Sequence, residues 1–169
     1  MNRLSVVLIA SCAVLSACTQ STAPDTTAAD ETAIRASGNS WYKAFNSGDM
    51  DALASLYTDD AVVQAPNAPA ARGSAAIRDF FTKQRADMQG AGLTVVEGAR
   101  SDVGLAGDLA WQGDTYTVTD KSGATVESGK TLAVFQRKDG KWLMVRDTWN
   151  SDAPPAAANP AASAASAPR

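Results

Sequence analysis

Residues 126–150 read VESGKTLAVFQRKDGKWLMVRDTWN. Two runs rich in β-branched and aromatic side chains, Val126 to Arg137 and Trp142 to Asn150, flank Asp139-Gly140. That dipeptide favours a two-residue hairpin turn, so the stretch reads as two antiparallel strands. The same period of two runs upstream through Leu109 to Thr119, which carries Trp111, Tyr116 and Val118, and opens at Leu93-Thr94-Val95-Val96. Lys121-Ser122-Gly123 supplies the turn between the strands on either side of it. The second half of the chain is therefore a run of hairpin-linked strands.

Before Gly92 the period is helical. Ile34, Trp41 and Phe45, with Ala44 alongside, mark one face of a helix that Gly48 ends. Asp49 is placed to cap a second helix carrying Leu53, Leu56 and Tyr57. Asp59-Asp60 then stands at a corner before a short strand, Ala61 to Ala65, and Pro66 to Gly73 is a loop. Ser74 is expected to cap a third helix with Ile77, Phe80, Phe81 and Met88, and Gly90 to close it. Helices followed by hairpin-linked strands give an α+β class, with the helices packed on an antiparallel sheet.

Composition narrows the chemistry. The chain of 169 residues has a net charge of −3 and no basic block, so it has no footprint for nucleic acid. Hydrophobic residues make up 45% and charged ones 20%, the balance of a chain that folds. It contains no histidine, which excludes Ser-His-Asp and Cys-His nucleophiles and every His-containing metal site. Its two cysteines, Cys12 and Cys18, lie at the N-terminus, so the domain has no disulfide, Cys zinc site or catalytic thiolate to draw on. No pattern points to a metal, nucleotide or other cofactor. The remaining tools are carboxylates, Tyr, Trp, Lys, Arg and shape.

Both ends differ from the middle. Residues 1–17 carry Arg3 and an apolar run from Leu4 to Leu15, which is signal-peptide length. Leu15-Ser16-Ala17-Cys18 resembles the lipobox of bacterial lipoproteins, which implies cleavage before Cys18 and lipidation of that cysteine. An ordinary signal peptide with Cys18 incidental is the alternative. The resemblance implies a membrane anchor at the cell envelope, and Thr19, in place of the aspartate associated with inner-membrane retention, favours the periplasm-facing outer membrane. Residues 18–29 read as a flexible tether, and 152–169, built largely of Ala, Pro and Ser, as a disordered tail. The domain is then residues 30–151.

Several stretches in that domain resemble a known family. They are Trp41 through Asp49, Leu56-Tyr57-Thr58-Asp59-Asp60-Ala61-Val62, and Gly73 with Ala76 through Phe81. Phe135 through Trp142 and Arg146-Asp147-Thr148-Trp149-Asn150 complete the series. Their order and spacing resemble the SnoaL-like, ketosteroid-isomerase-like members of the nuclear transport factor 2 superfamily. The resemblance implies a cone of three helices on a strongly curved sheet, a pocket at the wide end, and a homodimer paired through the open sheet face. It also implies where isomerase residues would stand, and here each polar group is missing. Trp41 replaces the oxyanion-hole tyrosine, Ala65 the proton-shuttling aspartate, and Ala133 or Leu132 the second acid. Neither alanine nor an indole can carry the proton, so ketosteroid isomerisation is not expected.

What the pocket keeps is mostly aromatic. The resemblance places Trp41, Phe80, Phe81 and Trp149 at cavity-lining positions, as binding residues for a small apolar ligand. Asp147 shares strand parity with Trp149, and with it Tyr57 is the candidate catalytic pair. Asp147 has two readings: a buried proton acceptor, or a surface partner of Arg146, Lys130 or Arg137. Trp41 likewise has two readings, cavity wall or plain core with Phe45, and the adjacent Phe80 and Phe81 cannot both face one way. Asp59-Asp60 is expected to cap or pair locally, and Lys130 to be a solvated edge charge. Strict alternation sends Trp142 and Trp149 to opposite faces, leaving one for the helix–sheet core or a subunit contact. Three functions stay open: a small-molecule binding domain, an isomerase- or dehydratase-type enzyme with Asp147 as base, and a structural dimerisation domain.

Overall fold

Asp139 and Gly140 turn the chain with φ of 50° and 76°, positive at both central residues as a type I′ hairpin demands. The turn joins β5 (Thr125–Lys138) to β6 (Lys141–Ser151). Before them come β3 (Thr94–Ala106) and β4 (Leu109–Thr119). The helices are α1 (Thr27–Ser47), α2 (Met50–Ala54) and α3 (Ser74–Ala91), with β1 (Tyr57–Gln64) and β2 (Ala71–Arg72) between the last two. This is a computed structural model, and it describes residues 27–153. The expected signal peptide, Cys18 and nearly all of the expected tail lie outside the described residues. Helix α1 begins three residues inside the stretch read as tether.

The six strands form one curved sheet in the order β2-β1-β6-β5-β4-β3. It is not wholly antiparallel: β1 runs parallel to β6. Hairpins force antiparallel neighbours, but β1 reaches β6 only after α3 and four more strands, a connection long enough for either direction. Register breaks interrupt four of the five pairings, and such breaks bend and twist a sheet.

One break changes which side chains face inward. Val134 pairs with Arg146 and Phe135 with Met144, so Val145 is an extra residue on β6. The alternation therefore resets, and Trp142, Met144 and Asp147 are all buried. Trp142 joins Met144 in the core, with Trp149 packed against it. The two tryptophans thus serve the same side, against the strict alternation read from sequence.

Three further boundaries move for physical reasons. Asp49 caps α2 as expected, its Oδ1 accepting from the Ala52 N–H at 2.9 Å, but the helix ends at Ala54. Tyr57 therefore opens β1, and Asp59-Asp60 lies within that strand rather than at a corner. Gly73, not Ser74, holds the N-cap of α3, and the Ser74 hydroxyl donates instead to Asp59 Oδ1 at 3.3 Å. Gly92, with a φ of 71°, ends that helix in place of Gly90. At the end of α1, Asn46 locks the helix to β3: its amide donates to the Val95 carbonyl at 2.7 Å and accepts from the Val95 N–H at 3.2 Å. The core beneath the helices centres on Ile34, Phe45, Leu53, Ile77, Phe81 and Phe135.

Candidate functional site

Helix α1 packs on the inner face of the sheet, with Gly38 set against Gln112 of β4. A methyl there would stand 2.8 Å from Gln112 Nε2, so only a residue without a side chain allows the approach. Beside this contact lies a cavity of about 270 Å³. Trp41, Phe45, Phe135, Met144 and Trp149 give it an apolar wall. Gln112, Asp114, Tyr116 and Asp147 add polar groups from the sheet, and Tyr42 one from the helix.

Asp147 is 7% exposed and belongs to that wall. Its neighbour across on β5 is Ala133, whose small side chain leaves the carboxylate open to the cavity. The Tyr57 hydroxyl donates to Asp147 Oδ2 at 2.6 Å and in turn accepts from Trp41 Nε1 at 2.8 Å. Burial pushes the Asp147 carboxyl up to about 6, against the opposing pull of the Tyr57 hydrogen bond. Tyr57 is held well above its ordinary value by its own burial and then by the Asp147 charge, so it stays a neutral donor. Near neutrality the site thus presents a carboxylate able to take or release a proton, oriented by a fixed hydroxyl.

The other reading of Asp147 fails because its proposed cations are used elsewhere. Lys130 pairs with Asp152 at 2.6 Å on the surface, and Arg137 with Asp30 and Asp108. The Arg146 guanidinium donates to the Val145 carbonyl. Trp41 lines the cavity as well as stacking on Phe45, with ring centroids 5.1 Å apart. Phe80 and Phe81 do not reach the cavity. Phe81 is fully buried and braces two tryptophans from behind, its ring centroid 5.4 Å from that of Trp41 and 6.2 Å from that of Trp149. Phe80 packs on Trp149 at 6.1 Å. Tyr57 likewise acts through Asp147 rather than by lining the space.

At the isomerase positions the structure offers methyl groups. Ala133 lines the cavity, Leu132 is 45% exposed, and Ala65 lies beyond β1, outside the lining. Sequence reading missed Gln112 and Asp114. Gln112 is 2% exposed, and its amide donates to Asp114 Oδ2 at 2.9 Å. Their signal was available: Ala110, Gln112, Asp114, Tyr116 and Val118 share one parity of β4, and all five are buried. Among the described residues no group of His, Cys, Asp and Glu is arranged to hold a metal ion, and no helix is long and apolar enough to cross a membrane.

Solved structures share this architecture at low sequence identity. A nuclear transport factor 2-like protein with a cystatin-like fold from Novosphingobium aromaticivorans is 23% identical, with a TM-score of 0.68 over 79% of this chain and 88% of that one. One of unknown function from Pseudomonas putida is 20% identical, with a TM-score of 0.65 over 76% and 99%. A ketosteroid isomerase-like protein from Erwinia carotovora is 22% identical, with a TM-score of 0.56 over 73% and 96%. These likenesses carry the fold alone. No curated protein matches the chain. The SnoaL-like domain family matches residues 39–145, spanning α1 to β6 and most of the cavity wall, and the chain belongs to that family.

Proposed function

We propose that this domain binds a small, mostly apolar molecule in the cavity, held at the bacterial cell envelope by a lipid on Cys18. The observation that carries the binding reading is a buried carboxylate, Asp147, set in an aromatic wall and oriented by Tyr57. A few placed polar groups in an apolar cleft are the usual make-up of a small-molecule site. Native mass spectrometry of the full chain from its own host tests this. A bound non-protein mass, lost in Trp149→Ala, is the expected result. A wild-type protein that carries no such mass and is not stabilised by any of a panel of small apolar compounds would overturn it. For the anchor, Cys18→Ser should move the protein from the membrane fraction to the soluble one; unchanged partitioning would discard it.

A second reading is favoured by the proton affinity of Asp147, about 6, which suits a general base. In it, Asp147 takes a proton from carbon in an isomerase- or dehydratase-type step, with Tyr57 positioning the carboxylate. Steroid isomerisation is not the step proposed, because the cavity has no second acid at Ala133 to stabilise an enolate. An absorbance assay with a 5-ene-3-ketosteroid should show no turnover above buffer.

A further inference from the structure

We infer that the molecule bound in this cavity is a neutral hydroxy-ketone on an aromatic skeleton, its hydroxyl donating to Asp147 and its carbonyl accepting from Tyr42. The inference rests on the small-molecule reading above and names its chemical class. Asp147 is buried in the cavity wall, and its side chain accepts one hydrogen bond, from the Tyr57 hydroxyl to Oδ2. The other oxygen, Oδ1, has no hydrogen-bond partner among the described residues. A carboxylate oxygen buried without a donor costs free energy that a ligand hydroxyl would remove. Tyr57 already shows the arrangement on Oδ2, a phenol held at 2.6 Å. The surroundings favour a group with a single proton. In register beside Asp147 stand Ala133 on β5 and Val63 on β1, and Trp149 follows two residues on. None of these side chains can accept, so the extra N–H groups of an ammonium would be left unpaired there.

The helix side of the cavity supplies the complementary group. Tyr42 lies one turn after Gly38, on the face of α1 set against the sheet, and lines the cavity. Its hydroxyl makes no hydrogen bond among the described residues. Burial pushes its proton affinity up, and the charges of Asp114, Glu97 and Asp147 add to that. Two of those carboxylates, Asp114 and Asp147, line the cavity from the sheet, so the hydroxyl stands in the space between helix and sheet. Tyr42 thus keeps its proton and offers a donor that lacks an acceptor. A carbonyl oxygen supplies one without charge, whereas a carboxylate on the ligand would meet the charge of Asp147 in the same space. Between these two polar groups the wall is aromatic. Phe81 meets Trp41 edge-on at 79° and lies within 25° of the plane of Trp149, so the two indoles form a corner. A flat ring can lie on one indole and turn its edge to the other, the two geometries that aromatic pairs prefer.

The test is a titration of the full-length chain near neutral pH with three molecules of one skeleton: para-hydroxybenzylacetone, which has both groups, benzylacetone, which lacks the hydroxyl, and para-butylphenol, which lacks the carbonyl. Calorimetry and tryptophan emission report binding. The hydroxy-ketone is expected to bind about tenfold more tightly than either of the others, one buried hydrogen bond being lost in each case. The two advantages should then separate by variant. In Tyr42→Phe, which removes only a hydroxyl unbonded within the chain, the advantage over para-butylphenol should vanish and that over benzylacetone remain. In Asp147→Leu the pattern should reverse, and continued binding of benzylacetone shows that the variant is folded. Equal binding of all three ligands to the wild type would overturn the hydroxy-ketone inference and leave the small-molecule reading standing. Advantages that survive the matching substitutions would overturn it as well, because the hydrogen bonds would then be made elsewhere. Silence from all three ligands would count against both readings.

Discussion

Asp147 ties proton affinity to stability. Its carboxyl sits near 6 in the folded chain, against an ordinary 3.8. The folded state therefore holds a proton more tightly than the unfolded state, and this group favours folding most below about pH 4. That contribution is lost as pH rises from about 4 to 6, a total of about 3 kcal/mol at 1.36 kcal/mol per unit. Asp147→Asn keeps an acceptor for Tyr57 and removes the buried charge. It should raise the melting temperature at neutral pH, with the gain over wild type shrinking as pH falls to 4; a difference independent of pH would contradict the assignment. Tyr57→Phe does the reverse at the same carboxylate. It removes the one force that lowers the Asp147 proton affinity and leaves Trp41 Nε1 without its acceptor, at a cost of about 1–3 kcal/mol. Carbon NMR of the Asp147 carboxyl should then show a midpoint above that of wild type. The inward direction of Asp147 was legible from its parity with Trp149. Tyr57, 90 residues away, reads as its companion, but on a short helix; the structure puts it at the start of β1, a place that its apolar spacing with Leu53 and Leu56 does not reveal.

At the scale of elements, the elements whose period is uninterrupted were the ones legible in the sequence. Strand β4 falls at the residues that its alternation marks, and Asp139-Gly140 makes the expected turn. Strand β6 was misread because one extra residue, Val145, resets its alternation, and a bulge has no residue signature as strong as a turn's. Long-range ties are equally silent in sequence. Asp30, in the first turns of α1, takes both amino groups of Arg137, at 2.7 and 2.5 Å, and the Trp142 indole at 3.0 Å. The Arg137 guanidinium also lies over the Trp142 ring, 4.4 Å from its centroid. This cluster pins the start of the helix to the β5–β6 hairpin, 107 residues away in sequence. Asp30→Ala takes one of two carboxylate partners from the Arg137 guanidinium, which keeps Asp108, and the acceptor from the Trp142 indole N–H, so a measurable loss of stability is expected. Chemical denaturation should show a lower midpoint with an unchanged slope, because the same surface is exposed on unfolding. A loss below about 0.5 kcal/mol would mean that the cluster is no more than a surface pair.

For the whole molecule, the order of helices and strands was enough to foresee a sheet with helices on one face, and the parallel β1–β6 pairing was not, since nothing local records which strand a distant segment joins. A one-sided architecture leaves the other face of the sheet to be explained. Leu109 and Trp111 on β4 and Leu132 on β5 point away from the helices and are 50%, 45% and 45% exposed. Register places them together, Gly113 standing opposite Leu132 two residues along from Trp111. The Trp111 ring lies across Gly104 on β3, where even a methyl would collide with it, so the indole is fitted flat to the sheet instead of projecting freely. A contiguous apolar patch on a solvated sheet face marks an association surface, and a two-fold contact lets one copy cover it with the same patch of another. A homodimer through this face is the expected state. Sedimentation equilibrium of the Cys18→Ser protein, which is free of the proposed lipid, should give twice the monomer mass. The pair Trp111→Glu and Leu132→Glu should give the monomer mass with the cavity intact, because these side chains lie on the far side of the sheet from Asp147 and Trp149. A wild-type protein that sediments as a monomer at all concentrations would leave the patch to a different partner, and a double variant that stays dimeric would place the contact on another face.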